Sequence, residues 1–337
     1  MAGPGTRNLI TDVAGLTVGQ AEDTAVRSGV TVLMTEKPVA AVVDVRGGAP
    51  GTRDTEALSP INLVGQVDAI ALSGGSVFGL DASSGVTSVL RAKGRGFRIA
   101  PAAPPVPIVP GAILFDLMNG GDKDWGETAP YRALGAQAAE AASEDFALGN
   151  RGAGLGATIG RYKGGMGSAS WTTDDGFTVG ALAAANAVGS PLIPGTAVFW
   201  AWPFEQAREF GGRVPKGVAA QTARDLPADM KGAARANANT TIAIVATDAD
   251  VSRIELMRIA IMAADGLARA VRPAHTPFDG DIVFAVATGE RALGEARDRM
   301  VMRLGSVAGD CLARAIARGV YEADTLGDVK SYRAMFP

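Results

Sequence analysis

Short apolar runs separated by glycines and prolines dominate the hydrophobic pattern of the chain. In the first part of the chain these runs are rich in β-branched residues, which favours strands. We therefore predict strands at residues 29–34, 39–45 and 67–72. The third run leads through Ser-Gly-Gly-Ser into an amphipathic pattern that predicts a helix over 77–92. A glycine turn between strand and helix presents backbone N–H groups. We expect Gly74, Gly75 and Ser76 to bind the substrate or its oxyanion.

The rest of the chain alternates between strand-like and helical patterns. Residues 101–110 contain five prolines and are expected to form a loop or an edge strand. The strand-like runs are 153–160, 164–172, 177–186, 197–202, 240–247 and 281–288, and the helical patterns are 128–145, 251–271 and 307–321. Helices therefore flank strands along most of the chain, which fits one α/β domain of layered sheets and helices over residues 1–337.

One segment departs from this alternation. Residues 203–239 are rich in Arg, Lys, Asp, Gly and Pro and have weak periodicity. We interpret them as a loop or a marginal helix that links the two parts of the domain.

Composition excludes several classes of function. The chain has 337 residues, 47% of them hydrophobic, and a net charge of −3, so we expect no nucleic-acid partner and no membrane partner. The single cysteine, Cys311, excludes an intrachain disulfide and a cysteine-based zinc site. The single histidine, His275, excludes a site built on several histidines. We expect no metal and no cofactor. The chain starts without a secretory signal pattern, so we expect a cytoplasmic location.

The candidate for chemistry is Thr240, at the start of the apolar run 240–247. Its hydroxyl can attack the carbonyl of Asn239, which would break the Asn239–Thr240 bond and leave Thr240 as a new N-terminal residue. That residue would carry a nucleophile and a base together, since a free α-amine has a pKa of about 7.7–8.0. Threonine activated by its own amine is an established route to amide hydrolysis. Two other interpretations remain open: an N-glycosylation acceptor, which requires secretion, and an ordinary core strand.

A glycine-rich motif and a pair of acids are further candidates. Residues 152–157 fit a dinucleotide-binding pattern, but no strand precedes them and no helix follows. We instead expect a close approach of strands and substrate, with Lys163 or Arg161 supplying a positive charge. Asp279 and Asp281 flank a tight turn. They can orient the amine of a nucleophile or share a proton, whereas a calcium loop lacks its other ligands.

Two polar residues complete the set of candidates. Asn186 ends an apolar strand and is either satisfied by the backbone or aimed into a pocket as an oxyanion donor, a role worth about 2.7–4 kcal/mol. For His275 we expect a place in a turn or beside the site, since no G-x-S-x-G motif supports a Ser-His-Asp triad.

Taken in order, these motifs resemble one family. The motifs include Asp44-Val-Arg-Gly-Gly-Ala-Pro-Gly-Thr-Arg53, Lys163-Gly-Gly-Met-Gly-Ser-Ala-Ser170, Asn239-Thr-Thr-Ile242 and Asp279-Gly-Asp281, with further matches at 8–19, 72–81, 107–116 and 152–160. The chain resembles the self-processing N-terminal-nucleophile hydrolases that include the L-aminopeptidase/D-esterases, β-aminopeptidases and nylon-oligomer (6-aminohexanoate-oligomer) hydrolases. Threonine and Asp-Gly-Asp at the reactive positions resemble the nylon-oligomer branch more closely.

The resemblance implies a fold and a division of the chain. It implies a four-layer αββα sandwich with ornithine-acetyltransferase-like topology, cleaved into an α-chain of residues 1–239 and a β-chain of residues 240–337. Residues 203–239 would be the processing loop. By position, Thr240 would be the nucleophile, Asn186 the oxyanion donor and Asp279 and Asp281 the residues that position the Thr240 amine and hydroxyl.

The resemblance also implies an activity. We expect a self-cleaving hydrolase of peptide-like or ω-amino-acid oligomer amides, with a small-molecule amide or peptide as substrate and a homo-oligomer of αβ units as the assembly. Lys163 or Arg161 would be the basic residue of the site, and exo- or endo-action stays open. The alternatives are an ornithine-acetyltransferase-like acyl transferase and a non-catalytic small-ligand binding scaffold.

Overall fold

Strands and helices alternate through the computed structural model, which describes residues 2–216, 226–231 and 239–337. In this described part the strands are Leu16–Asp23 (β1), Ser28–Val45 (β2), Thr52–Arg53 (β3), Gln66–Ser73 (β4), Gly111–Ile113 (β5), Thr158–Ile159 (β6), Tyr162–Lys163 (β7), Gly165–Thr172 (β8), Thr178–Ala185 (β9), Ile242–Asp250 (β10) and Ile282–Ala292 (β11). The α-helices are Ala82–Ala92 (α1), Tyr131–Glu140 (α2), Arg253–Ala270 (α3), Arg297–Tyr321 (α4) and Tyr332–Met335 (α5).

All described strands except β6 and β7 form one nine-stranded sheet, and the long strand β2 is common to its two halves, each of which we call a sheet. Its first half pairs with β1 and β4, and its second half pairs with β11. The pairing with β4 shifts register between Met34 and Val39, where the sequence pattern predicted a break between two strands. One sheet continues from β4 to β5 and β3, and the other from β11 to β10, β9 and β8. Strands β10 and β11 run parallel, whereas β10 and β9 run antiparallel.

Three apolar cores separate four layers. Alternation along β10 shows the arrangement, because Ile242 and Ile244 face one core while Ala243 and Val245 face another. The core with Ile242 lies between the two sheets and includes Leu33, Leu72 and Phe284. The second core packs α3 and α4 on the sheet of β8 to β11, and a third packs α1 and α2 on the other sheet. These layers confirm the predicted four-layer αββα sandwich.

Several predicted elements differ from the structure. Residues 153–160 form a short 3-10 helix, Gly152–Gly154, and only two residues of strand, because Gly152 adopts a positive φ of 47°. Residues 197–202 contain one isolated bridge between Leu192 and Phe199 and no strand. The predicted helix 307–321 starts earlier, at Arg297, since the same apolar face continues through the buried Val301 and Leu304.

The predicted processing loop is described only in part. Residues 217–225 and 232–238 lie outside the described residues. The described part 203–216 packs against α4. Glu209 accepts hydrogen bonds from Arg314 Nε at 2.6 Å and from Asn8 Nδ2 at 2.6 Å, and Phe210 is buried. The division of the chain at residue 239 stays a prediction.

Candidate active site

Thr240 is buried just before β10. Its N–H donates to the carbonyl of Asn186 at 2.8 Å, which extends the antiparallel pairing of β10 with β9 by two residues. The Thr240 hydroxyl donates to the carbonyl oxygen of Asn239, the residue before it. The N–H of Gly280 donates to this same oxygen at 3.0 Å. The carbonyl next to Thr240 is therefore polarised by two hydrogen-bond donors.

The close approach of the two strand starts requires glycine at position 280. A Cβ added to Gly280 would lie 2.6 Å from Thr240 Oγ1 and 2.6 Å from the carbonyl oxygen of Ala49. No real Cβ makes such contacts, so any side chain here would displace the hydroxyl or the 46–49 segment. Asn239 and Asp279 form a parallel bridge, which places Gly280 directly beside Thr240.

Asp279 and Asp281 lie on the two sides of this glycine and are both buried. Asp279 accepts from the Val188 N–H at 3.0 Å and from the Thr276 hydroxyl at 2.5 Å. Asp281 accepts from the Thr241 N–H at 2.9 Å. Among the described residues, Asp281 thus bonds to the residue after Thr240, Asp279 bonds to Val188 and Thr276, and neither carboxylate bonds to Thr240 itself. Burial, and secondly the charge of Asp281, raise the pKa of Asp279, which favours the protonated form of this carboxyl group.

Asn186 lies at the end of β9, and its side chain is buried. Its Oδ1 accepts hydrogen bonds from the Thr158 N–H at 2.9 Å and from Lys231 Nζ at 3.3 Å. Its Nδ2 donates to the carbonyl of Phe115 at 3.2 Å. The N–H of Thr158 can only donate, so it fixes which end of the amide is oxygen. The nitrogen end is therefore directed at Phe115.

A cleft of about 210 Å³ lies beside Asn186. Three of its lining residues, Phe115, Thr158 and Lys231, form hydrogen bonds with the Asn186 side chain. The other lining residues include charged groups of both signs, namely Arg27, Asp116 and Asp328. Since the Asn186 carbonyl accepts the N–H of Thr240, Asn186 connects the lining of the cleft with the threonine.

The structure separates the two candidate basic residues. Lys163 is buried, and its Nζ donates to the carbonyls of Gly154 at 2.9 Å and Gly164 at 2.8 Å. Burial lowers the pKa of Lys163 to about 7. Arg161 is exposed, with its guanidinium 5.8 Å from the ring centre of Tyr162. Lys163 does not line the cleft described above. It pairs across β6 and β7 with Thr158, which does line the cleft.

The backbone N–H groups of the Gly74–Gly75–Ser76 loop all donate to other groups within the protein. Gly74 donates to the carbonyl of Gly29 at 2.9 Å, Ser76 to that of Leu114 at 3.0 Å, and Gly75 to Asp116 Oδ1 at 2.8 Å. In this arrangement the loop does not offer these groups to an oxyanion, which differs from the predicted role. Instead it holds Asp116 at the cleft, where burial raises the pKa of the carboxyl group.

Sequence reasoning missed three contributors to the site. Lys231 and Asp116 lie in segments that the sequence analysis singled out, 203–239 and 107–116, but neither side chain was a candidate, and only the folded chain brings them to the cleft. The Gly280 N–H belongs to a motif that we noticed for its acids alone, although a glycine between two candidate acids was itself a signal of close approach. The structure also places His275 against the acids, with Nδ1 2.9 Å from Asp281 Oδ2.

Two searches of the described residues bear on partners. Across residues 2–216, 226–231 and 239–337 no cluster of three or more His, Cys, Asp or Glu side chains could hold a metal ion. None of the helices in these same ranges is both long enough and apolar enough to cross a membrane.

Comparison with a solved structure shows the fold. The L-aminopeptidase D-Ala-esterase/amidase of Ochrobactrum anthropi, described as a variant of the Ntn hydrolase fold, superimposes with a TM-score of 0.69 at 20% identity. The match covers 99% of this chain and 94% of that one. This confirms the predicted N-terminal-nucleophile hydrolase fold.

Comparison with sequences shows the family. A Mycobacterium tuberculosis protein named "uncharacterized aminopeptidase" is 42% identical over 98% of both chains. The 6-aminohexanoate-oligomer endohydrolase of Kocuria sp. is 29% identical, over 93% of this chain and 86% of the relative. Overall identity is thus higher to the protein named as an aminopeptidase than to the nylon-oligomer enzyme. The model of peptidase family S58 matches residues 8–333. These relatives support an amide hydrolase, and the chain belongs to peptidase family S58.

Proposed function

We propose that the protein is an amide hydrolase that cuts its own Asn239–Thr240 bond and then uses Thr240 as an N-terminal nucleophile. One observation carries the proposal. The Thr240 hydroxyl lies against the carbonyl of Asn239, and the oxygen of that carbonyl also accepts the Gly280 N–H at 3.0 Å. A nucleophile, an electrophile and an oxyanion donor therefore meet at one peptide bond.

Self-cleavage would proceed as an N→O acyl shift. Thr240 Oγ1 attacks the Asn239 carbonyl carbon and loses its proton, and the negative charge that develops on the carbonyl oxygen faces the Gly280 N–H. The C–N bond then breaks, and the Thr240 nitrogen takes up a proton to become a free amine. Water hydrolyses the resulting ester, which leaves a carboxylate on Asn239 and a free hydroxyl on Thr240.

Turnover would repeat this chemistry on a substrate amide. The Thr240 amine accepts the Oγ1 proton as the oxygen attacks the substrate carbonyl. The leaving amine takes the proton, and water hydrolyses the acyl ester of Thr240. Asn186 would stabilise the substrate oxyanion through Nδ2, because this nitrogen donates to the carbonyl of Phe115, a residue that lines the cleft.

The two acids would hold the nucleophile in place. Asp281 fixes the N–H of Thr241, and Asp279 fixes that of Val188, two residues beyond Asn186. Once the chain is cut, the new ammonium group of Thr240 would lie next to this buried pair. The raised pKa of Asp279 would bring the proton exchange of this carboxyl group closer to that of the amine.

The cleft favours short substrates that carry charges of both signs. Arg27 and Lys231 supply positive charge, and Asp116 and Asp328 supply negative charge. Short peptides and linear ω-amino-acid oligomers have an ammonium at one end and a carboxylate at the other. Relatives named as aminopeptidases and 6-aminohexanoate-oligomer hydrolases agree with this class.

Intact-mass spectrometry of the purified protein tests the proposal. The wild-type chain should give two fragments, the smaller one starting at Thr240, and should hydrolyse short amides. Thr240→Ala should give one uncut chain without activity, whereas Thr240→Ser, which keeps a hydroxyl, should still be cut. Thr241→Ala is the matched control, because it removes the neighbouring hydroxyl and should leave the cut unchanged. A processed Thr240→Ala chain would refute the proposal.

A further inference from the structure

The segment 226–231, upstream of the proposed cut, is fastened into the site by Asp229. The carboxylate of Asp229 accepts from the Ser190 hydroxyl at 2.6 Å and from the Tyr162 hydroxyl at 3.0 Å. Its backbone carbonyl accepts the Arg161 N–H at 3.0 Å. Burial, and secondly the charge of Asp229, raise the pKa of Tyr162 to about 12, so this hydroxyl stays a donor. Hydrogen bonds from Ser190, Tyr162 and Arg161 thus hold both the side chain and the backbone of Asp229.

This anchor brings Lys231 to the proposed oxyanion donor. The Lys231 N–H donates to the carbonyl of Val188 at 2.9 Å, and its side chain is almost completely buried. Its Nζ lies 3.3 Å from Asn186 Oδ1, and the residue lines the cleft. A buried ammonium group that touches an amide oxygen strengthens the dipole of that amide.

We propose that Lys231 is a positioning residue for Asn186, supplied by the end of the α-chain; the inference rests on the proposed function. Thr158 and Lys231 together hold Oδ1, which fixes the amide plane and leaves Nδ2 turned towards Phe115 at the cleft. Because the positive charge sits on the oxygen end, the N–H groups of Nδ2 become stronger donors to an oxyanion.

The inference gives the predicted processing loop a second role. Lys231 precedes the proposed cut, so after cleavage it would belong to the α-chain, whereas Thr240 would begin the β-chain. The α-chain end would then remain part of the working site, held there by Asp229. Self-cleavage itself would not depend on Lys231, because the backbone N–H of Gly280 donates to the Asn239 oxygen in the described part of the chain.

Lys231→Met tests the inference, since methionine keeps the chain length and removes the charge. We expect complete self-cleavage and a kcat for a short amide lowered about 10- to 100-fold, with KM changed much less, as for a misplaced catalytic group. Lys231→Arg should recover part of the loss, because it restores a cationic donor. Asp229→Ala should reproduce the loss of kcat by releasing the segment. Lys93→Met, at an exposed lysine after α1, is the matched control.

The outcomes separate this inference from the proposed function. Wild-type protein that is cut and active, with Lys231→Met or the neutral donor variant Lys231→Gln equally active, would overturn the inference alone. Wild-type protein that is neither cut nor active would overturn the proposed function and the inference with it. Should Lys231→Met fail to fold, Lys231→Gln and Lys231→Arg decide, since the inference requires Arg to retain more kcat than Gln.

Discussion

The two sides of the site are built in different ways. The nucleophile side, defined as residues 239–241 and 279–281, lies at the starts of β10 and β11, and the parallel pairing of these strands fixes its register. The cleft side consists of side chains from separate segments: Phe115, Asp116, Thr158, Asn186 and Lys231. Backbone hydrogen bonds hold the first side, and contacts of the Asn186 side chain connect the second.

Because the two sides differ, self-cleavage and substrate turnover would each use their own oxyanion donor. The backbone N–H of Gly280 faces the carbonyl that self-cleavage would attack, while the side chain of Asn186 contacts three residues that line the cleft where a substrate would bind. A backbone donor cannot be removed by exchanging a side chain, whereas an amide side chain can. Substitutions should therefore be able to uncouple maturation from turnover.

Of the substitutions on the cleft side, removal of the Asn186 amide should lower kcat the most. We expect Asn186→Ala to lower kcat about 10²- to 10³-fold, the loss seen when one oxyanion donor is removed. Self-cleavage should be retained, because the Gly280 N–H and the Asn186 backbone carbonyl remain in place. Steady-state kinetics and intact mass on the same preparation measure the two effects.

The control for this variant keeps the shape of the side chain. Asn186→Asp preserves the size but replaces the N–H donor with an acceptor, so it should lose activity to a similar extent. Equal slowing of self-cleavage and turnover in Asn186→Ala would contradict the separate donors.

Crowding the turn at Gly280 should produce the opposite uncoupling. A Cβ there would lie 2.6 Å from Thr240 Oγ1, so Gly280→Ala must move the nucleophile away from the Asn239 carbonyl. We expect the first-order rate of self-cleavage to fall about 10²-fold, the scale of a misplacement of about 1 Å. Gly3→Ala is the matched control, since nothing lies within 4 Å of its added Cβ. Unchanged cleavage in Gly280→Ala would show that the hydroxyl reacts from another position.

The same difference explains what the sequence could predict. Thr240 and the Asp-Gly-Asp motif lie in short contiguous segments at strand starts, so pattern and resemblance located them and the four layers around them. Lys231 and Asp116 were not predicted as site residues, although their segments were noted, because tertiary structure alone brings the two side chains to one cleft. The loop at Gly74 to Ser76 had the pattern of an anion site, but tertiary packing directed its N–H groups at Asp116 and two carbonyls.

Lys163, which pairs with Thr158 of the cleft side, is a buried titrating group, and it extends the comparison to pH. Its folded pKa of about 7 lies below the ordinary value of 10.5 for a lysine, because burial penalises the charged form. Between these two values the unfolded chain binds a proton that the folded chain does not, so stability should rise with pH across this window. Below about pH 7 both states are protonated, and the cost of burying the charge is fully present.

Lys163→Met should therefore remove the pH-dependent free-energy cost of burying the lysine charge. The variant loses the hydrogen bonds to Gly154 and Gly164 at every pH. The cost of burying the lysine charge, or of removing its proton on folding, is absent from the variant, and in the wild type this cost is present only at a pH where the unfolded chain is protonated at Lys163. Relative to wild type, its free energy of unfolding should be higher, and the variant therefore more stable, at pH 7 than at pH 10, as measured by urea titration. Lys93→Met, at an exposed lysine, should show no such difference. If the effect of Lys163→Met is the same at both pH values, the buried lysine does not titrate in this window. The stability of the cleft side would then not depend on the protonation state of Lys163.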